Sequence, residues 1–276
     1  LKKWMALALS LILLLGLCAC GDDNNSEQAS LEKITVLLDW TPNTNHTGLY
    51  VALDKGYYKN AGLDVEIQQG PDSGVLPVVA SGKAQFCVSF QEEIGPALAA
   101  EDSLDVTAVA AIIAHNQSGL ISLKEKGIDT PKKMEGKTYA TWDTPLEKAI
   151  IKDMMEADGG DYSKLNMIPS TVTDVFSALQ TNIDLVWVYY NWDGIAAEVQ
   201  GIDVNYIDVR KTNPIFDQYT PLLAASNTFL EENPAIAKAF VEATAKGYEH
   251  AMEYPEESAD ILLKYAPEID RKLAVK

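Results

Sequence analysis

The chain has 276 residues, with 22 lysines and arginines against 40 aspartates and glutamates, a net charge of −18 and 47% apolar residues. So acidic a surface excludes nucleic acid and an anionic membrane surface as electrostatic partners, because both select basic faces. The length suits one large domain or two ordinary ones, and net charge says little about a site for a small ligand.

The first twenty residues read as an export signal: Lys2 and Lys3, then the uncharged apolar run Ala6–Leu17, closed by LCAC, Leu17–Cys20. About a dozen apolar residues are too few to span a bilayer, which needs roughly 20. Leucine three before a cysteine, a small residue just before it and Gly-Asp-Asp after it match a bacterial lipoprotein box. Cleavage before Cys20 would leave 20 basic against 40 acidic residues and a thiol carrying a diacylglycerol. An ordinary secretory signal cut near Ala19 is the alternative. Residues 21–33, polar through GDDNNSEQAS, then form a tether, which puts the folded body on the outer face of the cell membrane. Of three cysteines two lie in the signal, so Cys87, inside FCVSF, is the sole thiol of the body and no internal disulfide can form.

Past the tether, an apolar strand at 34–39 runs into Asp39 and Trp40, then a polar loop with Pro42, Asn43, Asn45 and His46, then a helix at 47–55 stopped by Gly56. A strand at 63–67, a helix at 74–81, a strand at 84–88 and a helix at 92–100 follow, then a strand at 105–113 and one at 137–141. Thr144-Pro145-Leu146-Glu147 opens the next helix, 145–157, with a capping box and a proline at the first helical position. Further on come a helix at 173–181, a strand at 184–188, a helix at 192–200, a strand at 204–209 and helices at 234–253 and 256–265. Alternating βα units with nearly continuous apolar strands predict an α/β protein with mostly parallel sheets.

The polar and aromatic residues of this map gather where strands end. Asp39 and Trp40 follow the first strand, Ser89, Gln91 and Glu92 the third, and His115, Asn116 and Ser118 the fourth. Trp142 and Asp143 follow 137–141, and Tyr189, Tyr190, Trp192 and Asp193 follow 184–188. In open α/β sheets ligands bind outside the carboxyl ends of the strands, so five such ends predict one lined cleft. Enzyme motifs are missing: there is no Gly-x-Gly-x-x-Gly, no phosphate loop and no nucleophile elbow. The three histidines lie far apart, and no metal or cofactor is expected. The sequence favours binding over catalysis.

The stretches DWTPNTNHTGLYVALDKGYYKNAGLDVE, ASGKAQFCVSFQE, AAIIAHNQSGLISLKEKGI and VWVYYNWDGIAAEV resemble the binding proteins of bacterial ABC importers for thiamin pyrimidine precursors. These are akin to the fungal thiamin-pyrimidine synthases. The resemblance implies the bilobal periplasmic-binding-protein fold, with lobe 1 at 34–115 plus 212–276 and lobe 2 at 116–211. Two crossing strands, Ala114–Gly119 and Asp208–Pro214, would form the hinge. It also implies a monomer that binds a 4-aminopyrimidine, hands it to an ABC permease and carries no cofactor. Trp40 and Tyr190 are then the stacking walls, with Trp142 a third. Asp193, Asp39 and Glu92 are the acceptors, and His46, Asn116 and Ser118 the polar rim. Where the synthases carry a lysine and, four residues on, a histidine, this chain has Ser89 and Glu93, and their cysteine-rich segment has no counterpart. Asp193 stands where the importer proteins often have glutamate, and the family runs several tens of residues further, so a longer parent chain is expected. A sulfonate, taurine or nitrate binder, which shares the KGYYKNAGLDVE pattern, and a synthase-like enzyme are the alternatives.

Overall fold

A computed structural model describes residues 30–71, 73–170 and 172–276. The export signal and the Cys20 attachment site fall outside these residues. The tether ends earlier than expected: Glu32 and Lys33 already belong to β1, Glu32–Leu38, laddered to Leu63 and Asp64.

Two five-stranded sheets organise the molecule. The first has the order β2-β1-β3-β10-β4, with β2 at Leu63–Gln69, β3 at Phe86–Ser89, β4 at Thr107–Ala111 and β10 at Leu222–Ala225. The second has the order β7-β6-β8-β5-β9, with β5 at Ser118–Leu123, β6 at Thr138–Thr141, β7 at Asn166–Pro169, β8 at Leu185–Tyr189 and β9 at Val204–Asp208. The bilobal α/β fold expected from the sequence is present, and the orders match position for position, β1 with β6 and β3 with β8. Four strands in each sheet run one way. The fifth, β10 or β5, is reversed and pairs antiparallel with both neighbours. The reversed strand is the one by which the chain enters each sheet from the other lobe. A chain arriving at the carboxyl edge of its neighbours can only run against them.

Three strands have no clear signal in the sequence. β10 is LLAA, four residues without alternation because both faces are buried. β7 is a short edge strand ending in Pro169, and β5, SGLISL, lies in a stretch expected to be partly hinge. The expected crossing strands need correction too. Ala114–Gln117 crosses without strand structure, and Val209–Thr212 is a helical turn whose cap, Asp208, accepts the Lys211 amide at 3.4 Å. The return to the first sheet is made by residues 213–221. Asn116 clips the two connections together: its side chain donates to the Phe216 carbonyl at 2.8 Å, and its amide donates to Asp217 at 3.1 Å.

Alternation along the strands fills both faces of each sheet. Ile34, Val36 and Leu38 of β1 point into one core with Leu49, Tyr58, Phe240 and Leu262, whereas Leu37 joins Val79, Cys87 and Leu222 on the other side. In the second lobe Leu120, Tyr139 and Trp187 meet helix Pro145–Ala157, and Ile121, Val186 and Val188 meet Leu179. Cys87 is fully buried in its lobe, a small core residue as the sequence suggested.

Helix Pro234–Glu253 ties the returning chain to the first lobe by closing on helix Thr47–Asp54. The contact is tight because both helices carry glycine there. A Cβ on Gly247 would sit 2.0 Å from the Gly48 carbonyl oxygen, and one on Gly48 would strike the Tyr248 ring. Backbone cannot yield as a side chain end can, so Gly247→Ala should cost about 2 kcal/mol or more by overpacking. Gly95→Ala, in helix Gln91–Ala99 with open space around it, should instead stabilise by about 0.5–1 kcal/mol. Urea titration of both variants checks the contrast, and equal midpoints for the two would contradict the packing described.

Candidate functional site

The carboxyl ends of β1 and β3 face those of β6 and β8 across the cleft, and side chains from both sheets meet there. After β1 the chain turns through Asn43, whose side chain accepts the Asn45 amide at 2.9 Å and opens the short turn Thr44–His46. His46 is wholly buried. Its Nδ1 accepts the Asn43 amide at 3.1 Å, so its proton lies on Nε2, which donates to Asp39 Oδ1 at 2.7 Å. The expectation that His46 forms part of a polar rim is thus corrected: it sits behind Asp39 and fixes that carboxylate. The Tyr248 hydroxyl donates to the Asn45 carbonyl at 2.7 Å and holds the same loop from the return segment.

Beyond β3, Glu92 lies near the start of its helix and is bonded from two sides. Tyr189 of the other lobe donates its hydroxyl to Oε1 at 3.3 Å, and Gln218 of the return connection donates to Oε2 at 2.9 Å. Burial is the main reason the Glu92 carboxyl is pushed up to about 7, and the hydroxyl of Tyr189 only partly offsets it. Neighbouring Glu93 accepts the hydroxyl of the buried Ser89 at 2.8 Å. Phe90 lies parallel to Tyr189, ring centroids 6.0 Å apart.

From the second lobe, β8 ends at Tyr189 and passes into a π-turn, Tyr190–Gly194, that precedes helix Ile195–Gln200. Single π-turns recur at functional sites because the extra residue re-aims side chains. Here Asn191 reaches across the cleft to donate to Asn45 Oδ1 at 2.8 Å, while its own Oδ1 is buried without a partner. Asp193 follows, its carboxyl raised to about 6 chiefly by burial.

Tyr190 does not take the place expected of it. Its ring packs on Tyr206 of β9, centroids 4.8 Å apart, and its hydroxyl donates to Glu198 at 2.6 Å. Tyr189 is the tyrosine that meets Glu92, because the strand ends one residue later than the sequence suggested and the turn carries Tyr190 aside. Asn116 is also spent internally, as the clip described above and as the acceptor of the Ser118 amide at 2.8 Å. Ser118 is buried and stands opposite Tyr189 in the β5–β8 ladder.

The two tryptophans on matched strands remain open. Trp40 after β1 is 46% exposed and Trp142 after β6 is 49% exposed. Trp142 is aimed by a buried carboxylate: Glu147 accepts the Tyr139 and Thr141 hydroxyls and, at 3.3 Å, the Trp142 amide. Asp143, next in the chain, has φ of 65°, a left-handed conformation that turns the strand sharply into its helix. Of the residues singled out by sequence, the structure thus brings Asp39, Glu92 and Asp193 to the cleft edge and leaves Trp40 and Trp142 exposed at matched strand ends. Sequence reasoning noticed Tyr189 and Asn45 at the cleft edge but gave them no role in the site, and it missed Asn191, Gln218 and Thr220. The two asparagines and Tyr189 lay within segments already picked out, whereas Gln218 and Thr220 sit on a connection without a motif.

Among the described residues, none of Asp39, Glu92, Glu93 and Asp193 forms an ion pair with lysine or arginine. No group of three or more His, Cys, Asp or Glu among them is arranged to hold a metal ion. The arrangement offers hydrogen-bond acceptors, aromatic faces and interlobe contacts, which suits capture of a flat polar molecule.

A family model described as NMT1/THI5 like matches residues 43–258. The formylaminopyrimidine-binding protein of Halalkalibacterium halodurans is 32% identical over 260 residues, which cover 92% of this chain and 76% of that protein. The 4-amino-5-hydroxymethyl-2-methylpyrimidine phosphate synthase of Legionella pneumophila is 24% identical over 257 residues, 88% of this chain and 77% of the relative. Among solved structures, the periplasmic aliphatic sulphonate binding protein SsuA from Escherichia coli superposes with a TM-score of 0.69 at 15% identity, over 89% of this chain and 77% of its own. That likeness speaks to fold alone. The chain belongs to the NMT1/THI5-like family and has the periplasmic-binding-protein fold of a substrate-binding protein.

Proposed function

We propose that this protein captures a 4-aminopyrimidine thiamin precursor between its lobes and delivers it to the permease of an ABC importer. In this reading it works as a monomer held to the extracytoplasmic face of the membrane by a lipid on Cys20. Lobe 1 comprises 34–115 and 212–276, lobe 2 comprises 116–211, and the Asn116-clipped connections form the hinge. The observation that carries the reading is the meeting of Glu92, Tyr189, Asn45 and Asn191 across the cleft beside Asp39 and Asp193, with no cation among them. A formylaminopyrimidine-binding relative at 32% identity supports the ligand class.

The chemistry fits. An aminopyrimidine presents two π-faces, and stacking adds about 0.5–1.5 kcal/mol per ring beyond area burial. Trp40 and Trp142 supply those faces, Asp193 accepts the exocyclic amine, and Glu92, held by Tyr189 and Gln218, is left for the rest of the ligand. Sulfonate and nitrate are disfavoured, because four carboxylates without arginine oppose an anion. A synthase activity is disfavoured because Ser89 and Glu93, where the synthases carry lysine and histidine, are hydrogen-bonded to each other at 2.8 Å.

In a thermal-shift screen, formylaminopyrimidine or hydroxymethylpyrimidine at 100 times its dissociation constant should add about 2.7 kcal/mol of apparent stability, and taurine or nitrate nothing. Stabilisation by a sulfonate alone would overturn the assignment. In calorimetric titration with the best pyrimidine, Asp193→Asn should weaken binding roughly 10- to 100-fold, the loss of one charge-assisted hydrogen bond. Trp40→Ala should cost at least as much and Asp193→Glu little, all three folded by circular dichroism. Wild-type affinity in both Asp193→Asn and Trp40→Ala would place the ligand elsewhere. For the anchor, a fatty-acid probe should label the expressed wild type and leave Cys20→Ser unlabelled.

A further inference from the structure

Most acids on this protein that form ion pairs do so in solvent, such as Asp260 with Arg271 at 2.6 Å and Asp54 with Lys264 at 2.9 Å. The cleft is different. Glu92 is bonded only to the uncharged Tyr189 and Gln218, Glu93 to Ser89 and Asp39 to His46. The carboxyls of Glu92 and Asp193 flank one residue, Tyr189, the first at its hydroxyl and the second against its backbone. Asp39 is close enough to raise both Glu93 and Tyr189. Thr220 adds a second observation. It is 1% exposed, and its hydroxyl approaches Glu92 and Tyr189 without completing a hydrogen bond to either. Buried carboxylates are ordinarily paired or hydrogen-bonded to capacity. Here a cluster of them and a neighbouring hydroxyl are left with capacity unused.

We infer that, within the aminopyrimidine class, the cleft selects a ligand whose C5 arm ends in an ammonium, ranks a neutral arm below it and rejects a phosphate ester. The inference rests on the aminopyrimidine reading above and assigns its second half. Asp193 takes the ring amine, and Glu92, held by Gln218 and Tyr189 with Thr220 beside it, takes the arm. An ammonium brings a positive charge to acids that have no lysine or arginine partner among the described residues, whereas a phosphate brings negative charge into a desolvated cluster of the same sign.

Proton exchange follows from the same geometry. Burial keeps Glu92 protonated up to about pH 7, and an arriving cation drives that proton off. Affinity for the ammonium ligand should therefore rise as pH increases through that value and fall below it. The groups facing Glu92 do not reverse the sign. Glu93 on its own helix and Asp39 after β1 are acids, Tyr189 stays protonated, Gln218 and Thr220 are uncharged, and the His46 proton is committed to Asp39.

The test is calorimetric titration of the full chain with three probes: 4-amino-5-aminomethyl-2-methylpyrimidine, its 5-hydroxymethyl analogue and the phosphate ester of the latter. At about pH 8 and low salt the ammonium probe should bind about tenfold or more tighter than the hydroxymethyl probe, and the phosphate about 100-fold weaker. At about pH 5.5 the advantage of the ammonium should shrink toward one, with protons released on binding near pH 7. Glu92→Gln should bring the ratio between the ammonium and hydroxymethyl probes close to one, whatever it does to either affinity. A hydroxymethyl probe that binds as well as the ammonium at both pH values, or a phosphate that binds as well as either, overturns this inference and leaves the aminopyrimidine reading standing. Binding of none of the three, nor of the formylated amine, overturns both.

Discussion

The chain passes between its lobes twice, and both passages start and finish at the cleft edge of a sheet. From that constraint most of the architecture follows. A chain that enters a sheet at the carboxyl edge of its neighbours must run against them, so β5 and β10 are each antiparallel to both flanking strands. The remaining four strands of each sheet then point their carboxyl ends at the cleft. Loops after β1, β3, β6 and β8 are thereby brought to one place from four separate parts of the sequence. The identical strand orders put β1 opposite β6 and β3 opposite β8 in role, which is why each lobe offers one half-exposed tryptophan and one acid-bearing turn.

The two lobes are held differently. The first is closed by long-range packing, glycine against glycine, where helix Pro234–Glu253 lies on helix Thr47–Asp54, and by the Phe86–Phe240 stack at 3.9 Å. The second lobe is made from one continuous stretch with its own core around Tyr139, Ile151 and Leu120. Between them run two connections, joined by Asn116, Phe216 and Asp217, with the cleft bonds Tyr189–Glu92 and Asn191–Asn45 and an exposed ion pair between Lys276 and Glu198. Few bonds across a boundary between two well-packed bodies is the arrangement from which hinge motion is built. The residues that bridge the cleft are also those with unused hydrogen-bonding capacity, so a ligand there would complete contacts that the protein alone leaves partial.

Charge sets the character of the site. The surface is acidic overall, yet where its acids form ion pairs the partners are lysines and arginines in solvent, and such pairs contribute little. Among the described residues the cleft acids have no lysine or arginine partners, and desolvation is the main influence on Glu92, Glu93 and Asp193. Burial raises Glu92 to about 7 and Asp193 to about 6, so each can change protonation within the physiological range. Among the described residues no group of three or more His, Cys, Asp or Glu is arranged to hold a metal ion.

Much of this was written in the sequence. The strand-to-loop change at Asp39-Trp40, the Thr144 helix cap with Pro145 (whose expected capping-box partner Glu147 turns instead to Tyr139 and Thr141) and the clustering of aromatics and acids at strand ends all depend on local patterning, and they announced the α/β lobes and the cleft edge. Local patterning could not show that LLAA at 222–225 is a central strand, because a strand buried on both faces carries no alternation. Nor could it separate Tyr189 from Tyr190, whose different fates turn on where the ladder ends and the π-turn begins. His46 and Asn116 have the chemistry of ligand contacts, and only burial against Asp39 and Phe216 makes them supports instead. Gln218 and Thr220 lie more than a hundred residues from Glu92 and reach it solely through the return of the chain. The sequence by itself determined which segments could form strands, helices and binding loops, because those are set by neighbours along the chain. Which side chains face the cleft, and which are consumed in holding it, was decided by the tertiary structure, because that depends on contacts between residues the sequence keeps far apart.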